Sequence, residues 1–221
     1  MGAVDFTRQS GILPQEIMDR TSVAIVGAGA VGSHVAEVLA KMGIRTLRVF
    51  DDDTVEAHNL PNQGYFLGDL GLPKVEALKR RLGEGLGATV IAENRRVDEN
   101  EVFEEDFIIS AVDSMASRKV VWEAVKNSPR ATHFVDGRMG ARQGQVFYAD
   151  LTDKESQDKY WSSWFPDDEG YQAPCTEKAT IFCAYGLSSL IGSVIARRIL
   201  DYEVRFTTEV DFESIQLFRL T

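Results

Sequence analysis

The segment Gly27-Ala28-Gly29-Ala30-Val31-Gly32 has the spacing G-x-G-x-x-G. It follows an apolar run, Ser22 to Val26. It precedes Ser33 to Met42, where Val35, Val38, Leu39 and Met42 recur at helical spacing. A glycine turn between a strand and a helix leaves free amides at the helix start, and these favour an anion. The first glycine permits the tight turn. The second lets the backbone approach a phosphate or ribose, and the third lets helix and strand pack closely. Asp51 comes 19 residues after Gly32, at the end of the next apolar run, where a carboxylate can accept from ribose hydroxyls. Gly27, Gly29, Gly32 and Asp51 together read as a nucleotide site.

Two further residues separate the possible nucleotide chemistries. Lys74, in Gly71-Leu72-Pro73-Lys74, stands at a helix start and can reach phosphates as a point charge. Asp113 follows the apolar run ending Ser110-Ala111-Val112. It is a hard oxygen ligand suited to Mg²⁺, which binds through one or two carboxylates plus phosphates. An NAD-dependent dehydrogenase is the standard reading of the glycine fingerprint alone. It has no need of a lysine and an aspartate at these places, whereas phosphoryl or adenylyl chemistry has.

The elements that must hold these residues alternate between short β-branched runs and helical periods. Strands are expected at Ser22–Val26, Thr46–Phe50, Thr89–Glu93, Asp106–Val112, His133–Val135 and Gln145–Leu151, with final ones at Val204–Phe206 and Ile215–Leu220. Helices are expected at Ser33–Met42, Lys74–Leu82, Ser117–Lys126 and Ala179–Leu200. Thr152–Ala173 has no clear period and reads as a loop or excursion. Such alternation implies an α/β, Rossmann-like fold, a mostly parallel sheet with helices on both faces. The site then lies outside the carboxyl ends of the strands, which puts Gly27–Gly32, Asp51–Asp53, Asp113 and Asp136–Arg138 first. One domain spanning 1–221 is expected, with an arm at 1–20 and the excursion at 152–178.

The chain has 221 residues, 24 Lys+Arg against 34 Asp+Glu, a net charge of −10 and a pI near 4.8. The acidity argues against general nucleic-acid binding, which needs clustered cations. No apolar run reaches the roughly 18 residues of a membrane span. The opening residues lack the regions of a signal peptide. Two cysteines, Cys175 and Cys183, make no disulfide framework and no four-thiolate zinc site, and His34, His58 and His133 are scattered. A cytoplasmic protein without zinc is expected.

The ordered set of motifs resembles the ThiF/MoeB/HesA superfamily of ubiquitin-activating-enzyme-like adenylyltransferases. Its pattern is a glycine loop, D-x-D-x-V leading to N-L-x-R-Q, then G-x-x-K, then D-x-x-x-x-R. Here these are Asp51 to Val55, Asn59-Leu60 and Gln63, Gly71 to Lys74, and Asp113 to Arg118, with Arg8-Gln9 matching upstream. The resemblance implies ATP- and Mg²⁺-dependent adenylation of a C-terminal carboxylate on a ubiquitin-like protein, sulfur carrier or peptide. It implies that Asp51 holds the ribose and that Asp53 belongs to the acidic stretch of the nucleotide site. Asn59 and Lys74 contact phosphates and Asp113 holds Mg²⁺. Arg8 reaches the ATP of the other subunit of a homodimer. Cys175 would take the activated carboxylate as a thioester, its thiol pKa lowered just ahead of a helix; otherwise it is an ordinary small residue. The second reading is a non-catalytic nucleotide-binding subunit of a heteromeric complex. A tRNA base carboxylate is another possible acceptor, disfavoured by the net charge.

Asn62 stands where the family carries an arginine. Arg138 or Arg142 could substitute for that cation; otherwise the loss implies an activity that is slower, differently arranged or absent. Cys183 is expected in the core. Trp161, Trp164 and Phe165 are either core for the excursion or a platform for a substrate tail. The acids Glu99, Glu101, Glu104, Glu105 and Asp106 are expected to form a solvated face.

Overall fold

The computed structural model describes residues 4–169 and 179–220, the last three of these by backbone alone. A single sheet of eight strands carries the chain, in the order β3-β2-β1-β4-β5-β6-β7-β8. Its strands are β1 (Ser22–Val26), β2 (Thr46–Phe50), β3 (Thr89–Glu93), β4 (Phe107–Ser110), β5 (His133–Gly140), β6 (Gln143–Asp150), β7 (Thr207–Asp211) and β8 (Gln216–Leu220). The first five are parallel; β6, β7 and β8 extend the sheet antiparallel from β5. The helices are α1 (Gln15–Met18), α2 (Ala30–Met42), α3 (Lys74–Leu86), α4 (Met115–Lys126), α5 (Lys154–Ser162) and α6 (Ile181–Ile199).

Apolar residues on both faces of the sheet explain the layers. Val23, Ile25, Leu47 and Val49 pack under α2, α3 and α6 in one core, with Val35, Leu39, Leu78, Leu187 and Ile191. Ala24, Val26, Ile108 and Phe134 face the other core, under Val121 and Trp122 of α4 and Tyr160 of α5. α6 lies close on α2: a Cβ on Gly192 would stand 2.6 Å from Val38 Cγ1. Cys183 is fully buried there, as expected, and burial pushes its thiol up to about 11.

Several boundaries move for physical reasons. α2 starts three residues before the expected position, because the glycine loop feeds directly into its first turn. Its end is as read: Gly43 adopts φ 102°, the left-handed stop. α3 continues through Gly83 and Gly85 and ends at Gly87, φ 65°. The strand expected at Val204–Phe206 is displaced. Phe206 lies beside β6, its carbonyl accepting from Tyr148 N at 2.8 Å, but the ladder begins at Thr207. Thr152–Ala173 is not merely a loop. It contains α5, capped by Asp153, whose side chain accepts from Glu155 N. Of α5 only Tyr160 is buried, too little for a readable period. The acidic run is a solvated face only in part, at Glu99 and Glu104, which are exposed. Glu101 pairs with Arg48 and Arg95, and Asp106 accepts from Ser22 Oγ at 2.7 Å, tying β4 to β1.

Candidate nucleotide site

β1 ends at the glycine turn, between β2 and β4, where the strand order reverses. This is the crevice in which open α/β sheets place ligands. Gly27 has φ 96°, and a Cβ there would stand 2.7 Å from the Ala111 carbonyl oxygen. A Cβ on Gly32 would fall on the Gly27 carbonyl. Gly29 differs: a Cβ there meets nothing within 4 Å. α2 has no side-chain cap, so its first-turn amides face the open space above Gly29.

Asp51 closes the turn from the side. Its Oδ2 accepts from Ala28 N at 2.6 Å and its Oδ1 from Asp53 N at 2.9 Å. Burial raises its pKa above the ordinary value, against the pull of those hydrogen bonds and of Lys74. Lys74 is 5% exposed at the start of α3; its Nζ lies 2.7 Å from Asp53 Oδ2 and 3.9 Å from Asp51 Oδ1. Carboxylate oxygens of Asp51, Asp52 and Asp53 all lie within 4.8 Å of one another. Arg96, just past β3, donates from Nε to both oxygens of Asp52, at 3.0 and 2.9 Å. Asp113 is exposed in the loop between β4 and α4.

The loop after Asp53 is fastened to the glycine turn by residues that no motif singled out. Tyr65 OH donates to Ala28 O at 2.7 Å. Ser33 Oγ donates to Gly29 O at 2.6 Å and accepts from Gly64 N at 2.8 Å. Asn59 is buried, and its Oδ1 accepts from Glu56 N at 2.8 Å, so that oxygen serves the loop itself. His34 stacks on Tyr185 with ring centroids 4.2 Å apart, and burial lowers its pKa. Ser110 Oγ, Asn62 Oδ1 and Gln63 Oε1 are buried without a hydrogen-bond partner among the described residues.

A buried network behind the site fixes the Asp113 loop. Asp136 is fully buried in the middle of β5, where its pairing with β4 stops, and accepts from Arg118 Nε (3.0 Å), Arg138 Nε (2.7 Å) and Tyr160 OH (3.1 Å). Arg118 also donates to the carbonyls of Ser114 and Gly137. Arg138 also donates from Nη1 to Ser163 O and from Nη2 to Ser163 Oγ. Arg142 pairs with Glu213 at the β5–β6 hairpin. Arg138 is thus committed to Asp136 and Ser163, while Arg142 stands in an exposed pair on the hairpin.

The excursion reaches the same region. Asp167 accepts from the amides of Met115 (2.6 Å) and Ala116 (3.1 Å), and Trp164 Nε1 donates to Met115 O at 3.0 Å. Trp161 stacks on Trp164, centroids 5.6 Å apart, both partly exposed. Arg8 is not brought to this site. It is exposed on a turn that Gln9 pins to Lys41 O, at the far end of α2. At 1.5 Å per residue that is about 20 Å away. Cys175 lies outside the described residues.

The model of the ThiF family matches residues 4–216. The NEDD8-activating enzyme E1 catalytic subunit of Arabidopsis thaliana is 34% identical over 114 residues, 49% of this chain and 25% of that protein. The tRNA threonylcarbamoyladenosine dehydratase of Bacillus subtilis (strain 168) is 29% identical over 107 residues, 45% of this chain and 42% of that protein. The crystal structure of Escherichia coli MccB with ATP superposes with a TM-score of 0.71 at 18% identity, over 94% of this chain and 65% of that one. The matched curated relatives are thus much longer than the stretch they share with this chain.

Proposed function

The chain belongs to the ThiF family, and from that premise we propose that it is an ATP-dependent adenylyltransferase. Its substrate is the C-terminal carboxylate of a ubiquitin-like protein, sulfur carrier or peptide. The uncapped amino end of α2 over Gly29, flanked by Asp51 and Lys74, carries this reading. The orphaned Ser110, Asn62 and Gln63 oxygens support it, since buried polar atoms need partners that a bound nucleotide can supply. The donor set also suits Mg²⁺: Asp113 is an exposed carboxylate in the loop after β4, and the oxygens of Asp51, Asp52 and Asp53 lie within 4.8 Å of one another after β2. When bound, the ion would neutralise phosphate charge.

In this reading Gly27, Gly29 and Gly32 shape the phosphate cradle, and Asp51 accepts from the ribose hydroxyls through its remaining lone pairs. Lys74 offsets the polyphosphate charge, with Asp53 holding its ammonium in place. Asn59 turns its amide toward a phosphate oxygen. The substrate carboxylate forms a bond from oxygen to the α-phosphorus. The bond from the α-phosphorus to the bridging oxygen breaks, and pyrophosphate leaves with that electron pair. Positioning and charge neutralisation do this work rather than a general base. We place Arg8 at the site of a second copy in a homodimer. Cys175 would accept the acyl group as a thioester, releasing AMP. Its few, separated thiols suit the cytoplasm.

Thermal melting with ATP·Mg²⁺, NAD⁺ and NADP⁺ in parallel tests the nucleotide. A ligand at 100 times its dissociation constant adds about 2.7 kcal/mol, roughly 5–10 °C for a chain of this size. A shift with ATP·Mg²⁺ alone is expected; a shift with NAD⁺ alone would overturn the reading. ATP–pyrophosphate exchange that appears only with a peptide bearing a free C-terminal carboxylate then tests the reaction. ATP binding without exchange for any partner favours the non-catalytic subunit.

A further inference from the structure

The mouth of the site poses an electrostatic problem. Asp51, Asp52 and Asp53 crowd their carboxylates together after β2, and Asp113 stands in the loop after β4, two strands along the sheet. Lys74 offsets only part of that charge, and a polyphosphate brings more of the same sign. The cation expected three residues beyond Asn59 is Asn62, an uncharged amide. Most guanidiniums nearby are already spent. Arg118 and Arg138 hold Asp136, Arg80 holds Asp69, and Arg95 lies between Glu93 and Glu101.

Arg96 differs. It follows β3, the strand beside β2, and so emerges at the same carboxyl edge as Asp51 to Asp53. Its side chain is 81% exposed, and its partner Asp52 is 42% exposed. Asp53 and Asp113 add to the field that favours its charge. An exposed pair of this kind is weakly held. A guanidinium's fork of donors fits phosphate as well as carboxylate.

We propose that Arg96 is a nucleotide-binding residue, which turns from Asp52 to the polyphosphate of the bound nucleotide and supplies the cation that Asn62 does not. The inference rests on the nucleotide reading of the site. It assigns Asp52 a definite part: it parks Arg96 at the rim while the site is empty, and it competes with the ligand for it.

Calorimetric titration of the wild type, Arg96→Gln and Asp52→Asn with ATP·Mg²⁺, AMP and adenosine tests this. Arg96→Gln should weaken ATP about tenfold, AMP less, and adenosine less than about twofold, as expected for the loss of one charge contact to phosphate. Asp52→Asn should act in the opposite direction, leaving ATP as tight as in the wild type or tighter. If Arg96 only braces Asp52, both variants will weaken ATP and adenosine alike, and the proposal fails. A wild type that binds all three ligands with Arg96→Gln unchanged also removes it, while leaving the nucleotide site standing. A wild type that binds none of the three removes the nucleotide reading and this inference together.

Discussion

Gly29 and Gly32 differ in what one methyl group would meet. At Gly32 it falls on the Gly27 carbonyl, which is backbone and cannot move aside. Gly32→Ala should therefore cost more than the roughly 1–3 kcal/mol of ordinary overpacking and appear as a lost or sharply lowered melting transition. At Gly29 the methyl enters open space, so Gly29→Ala should melt like the wild type yet lose the stabilisation that ATP confers. Equal ATP shifts in both proteins would remove Gly29 from the cradle. Asp113→Ala should change stability by less than about 0.5 kcal/mol, as for an exposed substitution, and should abolish Mg²⁺-dependent pyrophosphate exchange. Normal exchange would sink the metal assignment. The glycines, Asp51 and Asp113 could be singled out in the sequence because nucleotide chemistry places such types just after strands, and Lys74 because it opens a helix. Tyr65 and Ser33 were not: a tyrosine hydroxyl on the Ala28 carbonyl follows from tertiary approach across 37 residues, which no local pattern encodes.

At the scale of elements, two of the helix starts at the site, those of α2 and α4, are treated oppositely. α2 is left uncapped. α4 is capped twice, by Ser114, whose Oγ accepts from Ser117 N, and by Asp167 from the excursion. An anion is thus directed to α2 and refused at α4. Asp167→Ala should destabilise by about 1 kcal/mol, the usual scale of a lost cap, and should speed amide exchange in 154–169 before the rest of the chain. Uniform acceleration throughout would mean that the clasp is not local. The parallel strands β1 to β3 were readable to the residue, since each is a short run rich in apolar and β-branched residues, and glycines bound them after β1 and before β2 and β3. α5 was missed because its single buried side chain gives no period. β7 was misplaced because Val204 and Phe206 pack beside the sheet without joining its ladder.

Across the whole molecule, the nucleotide edge of the sheet is balanced by a titrating pair at the opposite edge. His133 opens β5, with Tyr148 OH 3.0 Å from its Nδ1 and Asp106, Asp150 and Arg198 around it. Burial first, then Arg198, lowers its pKa from the ordinary 6.5 to about 4. A depressed folded-state value means stability that is present above pH 6.5 and is lost as pH falls toward 4. The slope is at most about 1.4 kcal/mol per pH unit, less for a partly exposed ring. His133→Gln should flatten denaturation midpoints across that window; an unchanged slope would place the proton elsewhere. Arg8 belongs to this scale too. If it serves a second copy, Arg8→Ala and Lys74→Ala, each inactive alone, should regain part of their exchange activity when mixed. Mixed chains as inactive as either parent would confine Arg8 to its own arm. The eight-stranded order was only half readable. The strand-helix alternation implied the parallel half, whereas the hairpin that turns β5 into β6 depends on β5 continuing past Val135 to Gly140.

The Trp161–Trp164 stack makes the molecule its own optical instrument. Trp122, buried against Phe134 and Tyr160, supplies a steady emission background. Trp164 hangs from the Met115 carbonyl, two residues past Asp113. A ligand that moves the Asp113 loop should therefore shift the emission of the indole pair, a change readable by fluorescence in the unlabelled protein.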